Sequence, residues 1–456
     1  MNILVIGYGS VGQAIIPLLL ERIPFDKMTV LEVGENAAIF KQRLALHKNI
    51  TYIKSEIVQG NLDETLSKYV KAGDLLVNVS LNIDGIAIVE WCLQNGILYI
   101  DTSIERWRNQ PDETIPSLAD RTLFYAHQEI RKMAAKYPRS STAVITHGAN
   151  PGLVSHFTKQ ALLDLAKIKN LNVKVPTTQL GWAKLAKLIG VQVIHIAERD
   201  TQIINKPKQV GEFVNTWSCE GFWAEGRAPA ELGWGTHEDP AGPSNGALQG
   251  NCAYLKQPGV SMLMKSWVPT LGQYNGNLVQ HSEAVTIGQY LSCPGYSPTV
   301  HYVYCPADCA VASVNEMRGN ELDMQKQKRI AKDEIIDGMD ELGVLLQGLD
   351  FAYWYGSQLT IEEARKLIPG ENATSVQVAS SLLGAITWML KNPSAGMLEP
   401  EDLPFQEVLE VAMPYLGPVV GVKSDWKPLD DQTSLFRKLD LDSSHPLRFD
   451  NFTVLS

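Results

Sequence analysis

The 456-residue chain has few cysteines, no concentrated run of basic residues and no low-complexity tract. Its 40 Lys and Arg residues are scattered and its net charge is -10, so the sequence does not favour a nucleic-acid partner. The six dispersed cysteines favour a reduced, cytoplasmic environment over a disulfide framework. No apolar run approaches the roughly 20 residues of a membrane span, so we expect no membrane segment.

Composition also bears on metals and on the charge of a substrate. Cys305 and Cys309 are close in sequence, but a zinc site normally needs about four ligands and no second pair accompanies them, so we expect no metal. The acidic balance suits a cationic small molecule. Acidity that serves solubility alone is the other interpretation.

Short apolar runs alternate with helical stretches over about the first 150 residues. The runs span residues 3–6, 28–31, 51–53, 75–79, 97–100 and 143–146. This alternation predicts an α/β domain with a doubly wound parallel sheet, in which residues 143–146 form the closing strand.

Beyond about residue 155 the alternation loosens, which predicts a second domain of α+β type with a mostly antiparallel sheet. Its predicted strands include residues 191–197 and 301–304, and residues 332–346 are predicted to be helical. The long apolar stretch at residues 374–390 predicts a buried helix that packs back on the first domain. The proline-rich residues that follow predict a surface wrap or an oligomer contact.

A glycine-rich turn follows the first strand and opens a helix. It contains Gly7, Tyr8, Gly9, Ser10, Val11 and Gly12. Gly7 permits a tight turn, Gly9 lets the backbone approach a pyrophosphate and Gly12 allows close helix packing, while the helix N-terminus attracts the phosphates. Glu32 ends the next strand, where a carboxylate binds ribose hydroxyls and repels a 2′-phosphate. The sequence therefore predicts a Rossmann domain that binds NAD.

Ligands of such domains lie beyond the carboxyl ends of the strands. The residues at these positions are Ser80, Leu81, Asp101, Thr102, Asn150 and Pro151. We expect them to line the cofactor site, with a purely structural role in a turn as the alternative for each.

Aromatic and acidic side chains are interleaved at residues 216–226. Trp217 and Glu225 belong to this segment, and Glu198 ends a predicted strand. Aromatic faces attract ammonium groups by roughly 0.5–2 kcal/mol, and a desolvated carboxylate binds them through charge-assisted hydrogen bonds. The segment predicts a polyamine pocket, unless its tryptophans lie in the core and its glutamates in solvent.

His281 and Glu283 are separated by a single residue. Alternation along a strand would place both side chains on one face, where a carboxylate can hold an imidazole for proton transfer. A solvated surface pair is the alternative.

Six segments carry a resemblance to a known family. They span residues 5–12, 99–107, 146–156, 198–202, 215–218 and 339–346. On these segments the chain resembles the bacterial homospermidine synthases, which belong to the saccharopine dehydrogenase-like group. The first segment is shared by many dehydrogenases, whereas the tryptophan segment and the last one are more specific.

The resemblance implies an NAD-dependent aminobutyl transferase on an oxidoreductase scaffold. Members of the family join two putrescine molecules into homospermidine and release ammonia, with a tightly bound NAD that is recycled. A hydride leaves the carbon beside one amine, the second amine adds to the imine, ammonia leaves and the hydride returns. The family also leads us to expect a homodimer.

The resemblance further implies a set of catalytic side chains. They are Trp217, Glu198, Glu225, His281, Glu283, Asn150 and Glu105. Trp217 would form a cation–π contact with the substrate, Glu198 and Glu225 would anchor amine ends, and Asn150 would lie between nicotinamide and substrate. Glu105, His281 and Glu283 would complete the polar wall, with His281 as the favoured proton acceptor. After the fourth strand, either Asn82 or Asp84 would face the substrate.

We predict an NAD-binding Rossmann domain at residues 1–152 and a substrate and dimerisation domain at residues 153–370. Residues 371–456 would form a helix that returns to the Rossmann domain and a C-terminal wrap.

Two other functions stay open at this point. A saccharopine- or carboxynorspermidine-type dehydrogenase would need a basic clamp for an α-carboxylate, for which Arg199 and Arg227 are candidates. A non-catalytic NAD-binding protein would need no polar wall around the nicotinamide.

Overall fold

The computed structural model describes residues 1–107, 117–430 and 443–454, which form two large sheets and two small ones with helices packed around them. The strands are, in chain order, β1 (Ile3–Ile6), β2 (Met28–Glu32), β3 (Ile50–Lys54), β4 (Leu75–Asn78), β5 (Leu98–Asp101), β6 (Ala143–Val144), β7 (Val193–Asp200), β8 (Ile203–Ile204), β9 (Glu212–Asn215), β10 (Pro229–Gly233), β11 (Gly246–Gln249), β12 (Cys252–Pro258), β13 (Leu263–Val268), β14 (Gly272–Val279), β15 (Thr299–Cys305), β16 (Gln327–Ile330), β17 (Ile335–Asp337), β18 (Met339–Gly348), β19 (Phe351–Thr360), β20 (Met397–Leu398) and β21 (Val419–Ser424).

The helices are α1 (Ser10–Arg22), α2 (Ala37–Leu44), α3 (Leu62–Ser67), α4 (Gly85–Asn95), α5 (Leu123–Ala134), α6 (Leu153–Ile168), α7 (Gln179–Ile189), α8 (Cys219–Arg227), α9 (Ser282–Tyr290), α10 (Asp308–Gly319), α11 (Ile361–Leu367), α12 (Ala373–Lys391), α13 (Phe405–Ala412) and α14 (Phe449–Phe452).

The first sheet is parallel throughout, in the order β20-β6-β5-β4-β1-β2-β3. The sequences of its central strands are continuous apolar runs because both faces of the sheet are covered. In β1, Ile3 and Val5 lie in one hydrophobic core, and Leu4 and Ile6 lie in another. The predicted doubly wound parallel sheet is confirmed. The strand order reverses between β1 and β4, and this reversal opens a crevice at their carboxyl ends.

The closing strand of this sheet differs from the prediction. Residues 143–146 do not end the sheet, because β20 pairs in parallel with β6 on its outer side. β20 contains only two residues, so it has no hydrophobic period that the sequence could display.

The second large sheet has ten strands, of which eight follow the order β11-β12-β10-β15-β7-β18-β19-β21 and the hairpin β13–β14 attaches to β15. Only β7 and β15 pair in parallel, so the predicted mostly antiparallel sheet is confirmed. Helices α6 and α9 pack on it and share its core.

The predicted helix at residues 332–346 is wrong, because this segment forms β17 and most of β18. β18 lies between β7 and β19, and nine of its ten residues are buried. A strand buried on both faces lacks polar alternation and cannot be distinguished from a buried helix by period. Gly343 allows the close approach of the neighbouring strand, since a Cβ there would lie 2.5 Å from the Trp354 ring.

Helix α12 corresponds to the predicted helix at residues 374–390 and shares a hydrophobic core with α1. It is 19 residues long and, by length and composition only, apolar enough to cross a membrane. Of its most apolar window, 78% is buried inside the protein.

The chain beyond α12 contributes to both large sheets. β20 joins the first sheet, α13 packs against α12 and α6, and β21 pairs with β19 of the second sheet. The predicted boundaries at residues 152 and 370 stay predictions.

Candidate active site

A cleft of about 1050 Å³ lies between the first sheet and the second, at the crevice beyond β1 and β4. It brings together most of the residues predicted from the sequence. Those that line it are Gly7, Gly9, Ser10, Val11, Glu32, Ser80, Leu81, Glu105, Thr102, Asn150, Pro151, Glu198, Trp217, Glu225 and His281. Tyr8, Gly12, Asp101 and Glu283 were predicted at the site but do not line the cleft.

The glycine turn has the shape of a phosphate cradle. Gly7 has φ +100°, and a Cβ there would lie 2.6 Å from the Val79 carbonyl oxygen. A Cβ on Gly12 would lie 2.3 Å from the Gly7 carbonyl oxygen, so Gly12 supports the turn from behind. Among the described residues, nothing lies within 4 Å of the Cβ position of Gly9, and no side chain caps the N-terminus of α1. The free amides and the open space at Gly9 fit a pyrophosphate.

Glu32 is held in place by two backbone amides. Its Oε2 accepts a hydrogen bond from the amide of Tyr8, and its Oε1 accepts one from the amide of Gly34 at 2.6 Å. Each carboxylate oxygen can accept a second hydrogen bond, as recognition of a ribose requires. Tyr8 therefore contributes through its backbone, while its ring packs against Phe40 and Tyr52.

Asp101 ties the ends of two strands together instead of facing the cleft. Its carboxyl group accepts hydrogen bonds from the Tyr99 hydroxyl at 2.7 Å and from the Thr146 amide at 2.5 Å. Burial raises the pKa of Asp101 to about 7. These contacts favour a structural role for Asp101, which is the alternative that the sequence left open.

Glu198 lies at the end of β7 and faces the cleft. Its Oε2 accepts hydrogen bonds from the Asn150 side-chain amide and from the Tyr302 hydroxyl, each at 2.6 Å. Burial, together with the negative charge of Asp200, raises the pKa of Glu198 to about 7. A carboxyl group with this pKa exchanges protons readily near neutral pH.

His281 lies between two carboxylates. Its Nδ1 is 3.2 Å from Oε1 of Glu283, and its Nε2 is 3.0 Å from Oε2 of Glu225. Burial lowers the pKa of His281, but the two carboxylates outweigh burial and raise it well above the ordinary value. The raised pKa favours the protonated imidazole, which disfavours His281 as the first proton acceptor.

The predicted pairing of His281 with Glu283 occurs on a different element. The two residues do not alternate along a strand, because His281 is the N-cap of α9 and Glu283 lies in its first turn. Glu283 is fully buried behind the imidazole and reaches the cleft only through it.

Three aromatic rings continue this side of the cleft. The indole Nε1 of Trp217 donates to the Tyr304 hydroxyl at 3.0 Å. The Tyr304 ring stacks on that of Tyr302 at 5.4 Å, and the Tyr302 ring lies 4.4 Å from the imidazole of His281. Trp217 precedes α8, whose N-cap is Ser218. Its position beside Glu198 and Glu225 in the lining of one cleft suits a bound cation.

Sequence reasoning missed Tyr302, which is both a lining residue and the hydrogen-bond donor to Glu198. The signal that could have found it is its place in the predicted strand at residues 301–304, where Tyr302 and Tyr304 share one face. Thr374 and Ser375, in the first turn of α12, also line the cleft and were not predicted to do so.

Glu105 joins Glu198 and Glu225 among the carboxylates of the lining. It accepts hydrogen bonds from the Asn82 amide at 3.2 Å and from the Ser103 hydroxyl at 3.1 Å. Burial raises the pKa of Glu105, and the charge of Glu225 raises it further. Of the two candidates that follow the fourth strand, Asn82 lines the cleft, whereas Asp84 caps α4.

The cationic side chains of the described lining are already paired. Arg106 contacts Glu129 at 2.6 Å, and Lys328 contacts Glu220 at 2.7 Å. His281 is the third cation. Carboxylates thus dominate the part of the cleft next to Glu198.

The two arginines proposed as a clamp for an α-carboxylate lie elsewhere. Arg199 donates to the carbonyl oxygen of Pro306 at 3.0 Å and contacts Asp308. Arg227 lies over the Trp223 ring at 4.4 Å. Neither belongs to the described lining of the cleft.

All six cysteines lie in the described ranges and are free. Among the described residues, no three His, Cys, Asp or Glu side chains are grouped so that they could hold a metal ion.

Comparisons with known proteins agree with this arrangement. Residues 3–145 match the family model of the saccharopine dehydrogenase NADP binding domain, and residues 148–422 match that of the saccharopine dehydrogenase C-terminal domain. The chain is similar to the homospermidine synthase of Blastochloris viridis, at 41% identity over 99% of this chain and 97% of that protein. The homospermidine synthase of Mesorhizobium japonicum is also 41% identical, over 99% of this chain and 96% of that protein.

A solved structure gives the same result. The homospermidine synthase of Legionella pneumophila, crystallised in complex with NAD, matches with a TM-score of 0.91 and 38% identity, over 100% of this chain and 98% of that chain. The chain belongs to the homospermidine synthase family, on the saccharopine dehydrogenase-like scaffold.

Proposed function

We propose that the protein couples two putrescine molecules into homospermidine and releases ammonia, with NAD bound and recycled. The observation that carries the proposal is the concentration of Glu105, Glu198 and Glu225 in the same cleft as the glycine turn, with every cation of the described lining already paired. Such a cleft attracts a dicationic diamine, and its described lining offers no free cation for an α-carboxylate.

The residues present fit NAD. The open cradle at Gly9 and the free N-terminus of α1 would hold the pyrophosphate, and Glu32 would bind the adenosine ribose and exclude a 2′-phosphate. When bound, NAD supplies a reversible hydride acceptor.

Glu198 is the proposed proton acceptor. An alkylammonium group has a pKa of about 10.4, so a base must remove its proton before the carbon beside it can lose a hydride. With a pKa of about 7, Glu198 is partly ionised at neutral pH and can return the proton later in the cycle. Asn150 and Tyr302 hold the acceptor oxygen in position.

Trp217 and the remaining carboxylates would bind the cationic groups. The indole face stabilises a positive charge by roughly 0.5–2 kcal/mol, more where water is excluded. Glu105 and Glu225 would bind the far ammonium, and His281, fixed by Glu283, would orient Glu225.

The test is a reaction of the purified protein with putrescine and NAD. We expect homospermidine and ammonia in equal amounts, without accumulation of NADH. Steady accumulation of NADH would instead indicate a dehydrogenase, and NAD binding without any product would indicate a binding protein.

The homodimer and the cytoplasmic location also belong to this proposal, since the family resemblance and the six free cysteines support them. Light scattering on the purified protein tests the first, because a monomeric mass would contradict it. Fractionation of the source cells tests the second.

A further inference from the structure

A charged cluster lies behind the glycine turn and plays no part in the mechanism above. We call it the Glu371 cluster; its members are Glu371, Lys332, Arg43 and Gln13. The Glu371 side chain is fully buried, and the Nζ of Lys332 contacts its two oxygens at 2.9 Å and 3.1 Å. Arg43, on α2, contacts the same carboxylate and donates to the Gly370 carbonyl oxygen at 3.1 Å. The buried carboxylate of Glu371 thus joins helix α2, which carries Arg43, to the loop that carries Lys332.

Lys332 also reaches the glycine turn through one intermediate side chain. Its Nζ donates to Oε1 of Gln13 at 2.8 Å, and Nε2 of Gln13 donates to the Tyr8 carbonyl oxygen at 3.0 Å. Tyr8 lies between Gly7 and Gly9, in the cradle for the pyrophosphate. The ammonium group of Lys332 has three protons, and its three acceptors are the two oxygens of Glu371 and Oε1 of Gln13. These hydrogen bonds fix the position of the Gln13 side chain.

The residue that follows Glu371 connects the cluster to the substrate side. Asn372 caps α12 by accepting from the Ser375 amide at 2.9 Å. Its side-chain amide donates to the Ala331 carbonyl oxygen at 3.0 Å and to that of Thr216. Thr216 immediately precedes Trp217. The adjacent residues Glu371 and Asn372 therefore contact both the side chain that supports the glycine turn, Lys332, and the segment that carries Trp217.

We propose that Lys332 is a positioning residue that retains the cofactor between turnovers, by fixing the glycine turn through Gln13 and by bridging the two sides of the cleft through Glu371. Retention matters here because the same cofactor must be present for the removal and the return of the hydride. The inference therefore rests on the proposed function for its purpose, although the release of NAD can be measured without any product.

The experiment compares NAD release from the wild-type protein with release from Lys332→Met, Gln13→Leu and the double variant. NAD release is followed by displacement with excess labelled NAD. Gln13→Leu is expected to release NAD about tenfold faster, the loss of one buried, charge-assisted interaction, with a matching rise in the NAD concentration for half-maximal rate. Lys332→Met should release NAD at least as fast as Gln13→Leu, because it also removes the contacts with Glu371. At saturating NAD, kcat should change less than about twofold. The double variant should release NAD no faster than Lys332→Met, because Lys332 and Gln13 act on the glycine turn through one chain of hydrogen bonds, and Lys332→Met also removes the contact with Glu371.

The control is Lys366→Met, which removes an exposed lysine paired with Glu362 on α11 and should leave NAD release unchanged. Gln13→Leu keeps the ion pairs of Glu371 intact, so it tests the inference even where Lys332→Met folds poorly. A lowered melting temperature with unchanged NAD release in both single variants would show that the cluster is structural only, and would overturn the inference. Failure of the wild-type protein to form homospermidine would overturn the proposed function, but the release rates would still be compared.

Discussion

The two halves of the cleft recognise opposite charges by different means. The cofactor half presents backbone amides at the N-terminus of α1, with Glu32 as its specific carboxylate. The substrate half presents side chains, chiefly Glu198, Glu225 and Trp217. Backbone donors do not titrate, whereas a buried carboxylate does, so the two halves should respond differently to pH and to substitution.

The largest expected effect is on the substrate half. Glu198→Gln keeps the shape of the side chain but removes the proton acceptor, and we expect kcat to fall about 10³-fold. NAD affinity should stay within about twofold. Steady-state kinetics and an NAD titration check both values, with the exposed Glu362→Gln as the control. Near-normal turnover would show that another group takes the proton.

The cofactor half is tested by Gly9→Val. Because the Cβ position of Gly9 is open, the fold should be retained, while the added side chain occupies the space that the pyrophosphate needs. We expect NAD affinity to fall about 100-fold, the upper end of the cost of overpacking. Calorimetry measures the affinity, and an unchanged melting temperature shows that the fold is intact. Unaltered NAD binding would place the pyrophosphate elsewhere.

Trp217→Ala should reduce turnover about 30-fold, the equivalent of roughly 2 kcal/mol of cation–π stabilisation. NAD should remain bound, because Trp217 belongs to the substrate half. Trp217→Phe keeps an aromatic face and should recover part of the rate, while Trp223→Ala on α8 is the matched control that lies outside the described lining. Loss of NAD from Trp217→Ala would indicate a structural role.

The smallest expected effect is the pH profile of the wild-type protein. Since Glu198 accepts a proton only when ionised and burial raises its pKa to about 7, kcat/KM for putrescine should fall about tenfold per pH unit below that value. NAD affinity should be nearly flat between about pH 6 and 8, because its main donors are backbone amides. A rate that does not change from pH 5.5 to 7 would argue against Glu198 as the base.

The glycine turn and Glu32 could be predicted from the sequence because they are local: strand, turn, helix and carboxylate follow one another within the first 32 residues. For the substrate half, the sequence could predict which types of residue take part but not how they are arranged in space. Asn150, Glu198 and Tyr302 come from distant segments, and nothing in the sequence states that they meet.

The differences between expectation and structure have physical causes as well. Glu283 and Asp101 do not line the cleft, because their carboxylates contact His281 and the Thr146 amide instead. His281 was the favoured proton acceptor, whereas its two neighbouring carboxylates raise its pKa and disfavour that role. The strand β18 was read as a helix because the second sheet buries both of its faces.

Strand β20 determines when the first sheet can be completed during synthesis of the chain. The first sheet begins at Ile3, yet its outer strand begins at Met397, so the ribosome must synthesise most of the chain before this sheet is complete. Until then the edge at β6 is open to pairing with other strands. The first sheet is therefore completed only by a late part of the chain, and a chain truncated before β20 is expected to expose the edge of β6.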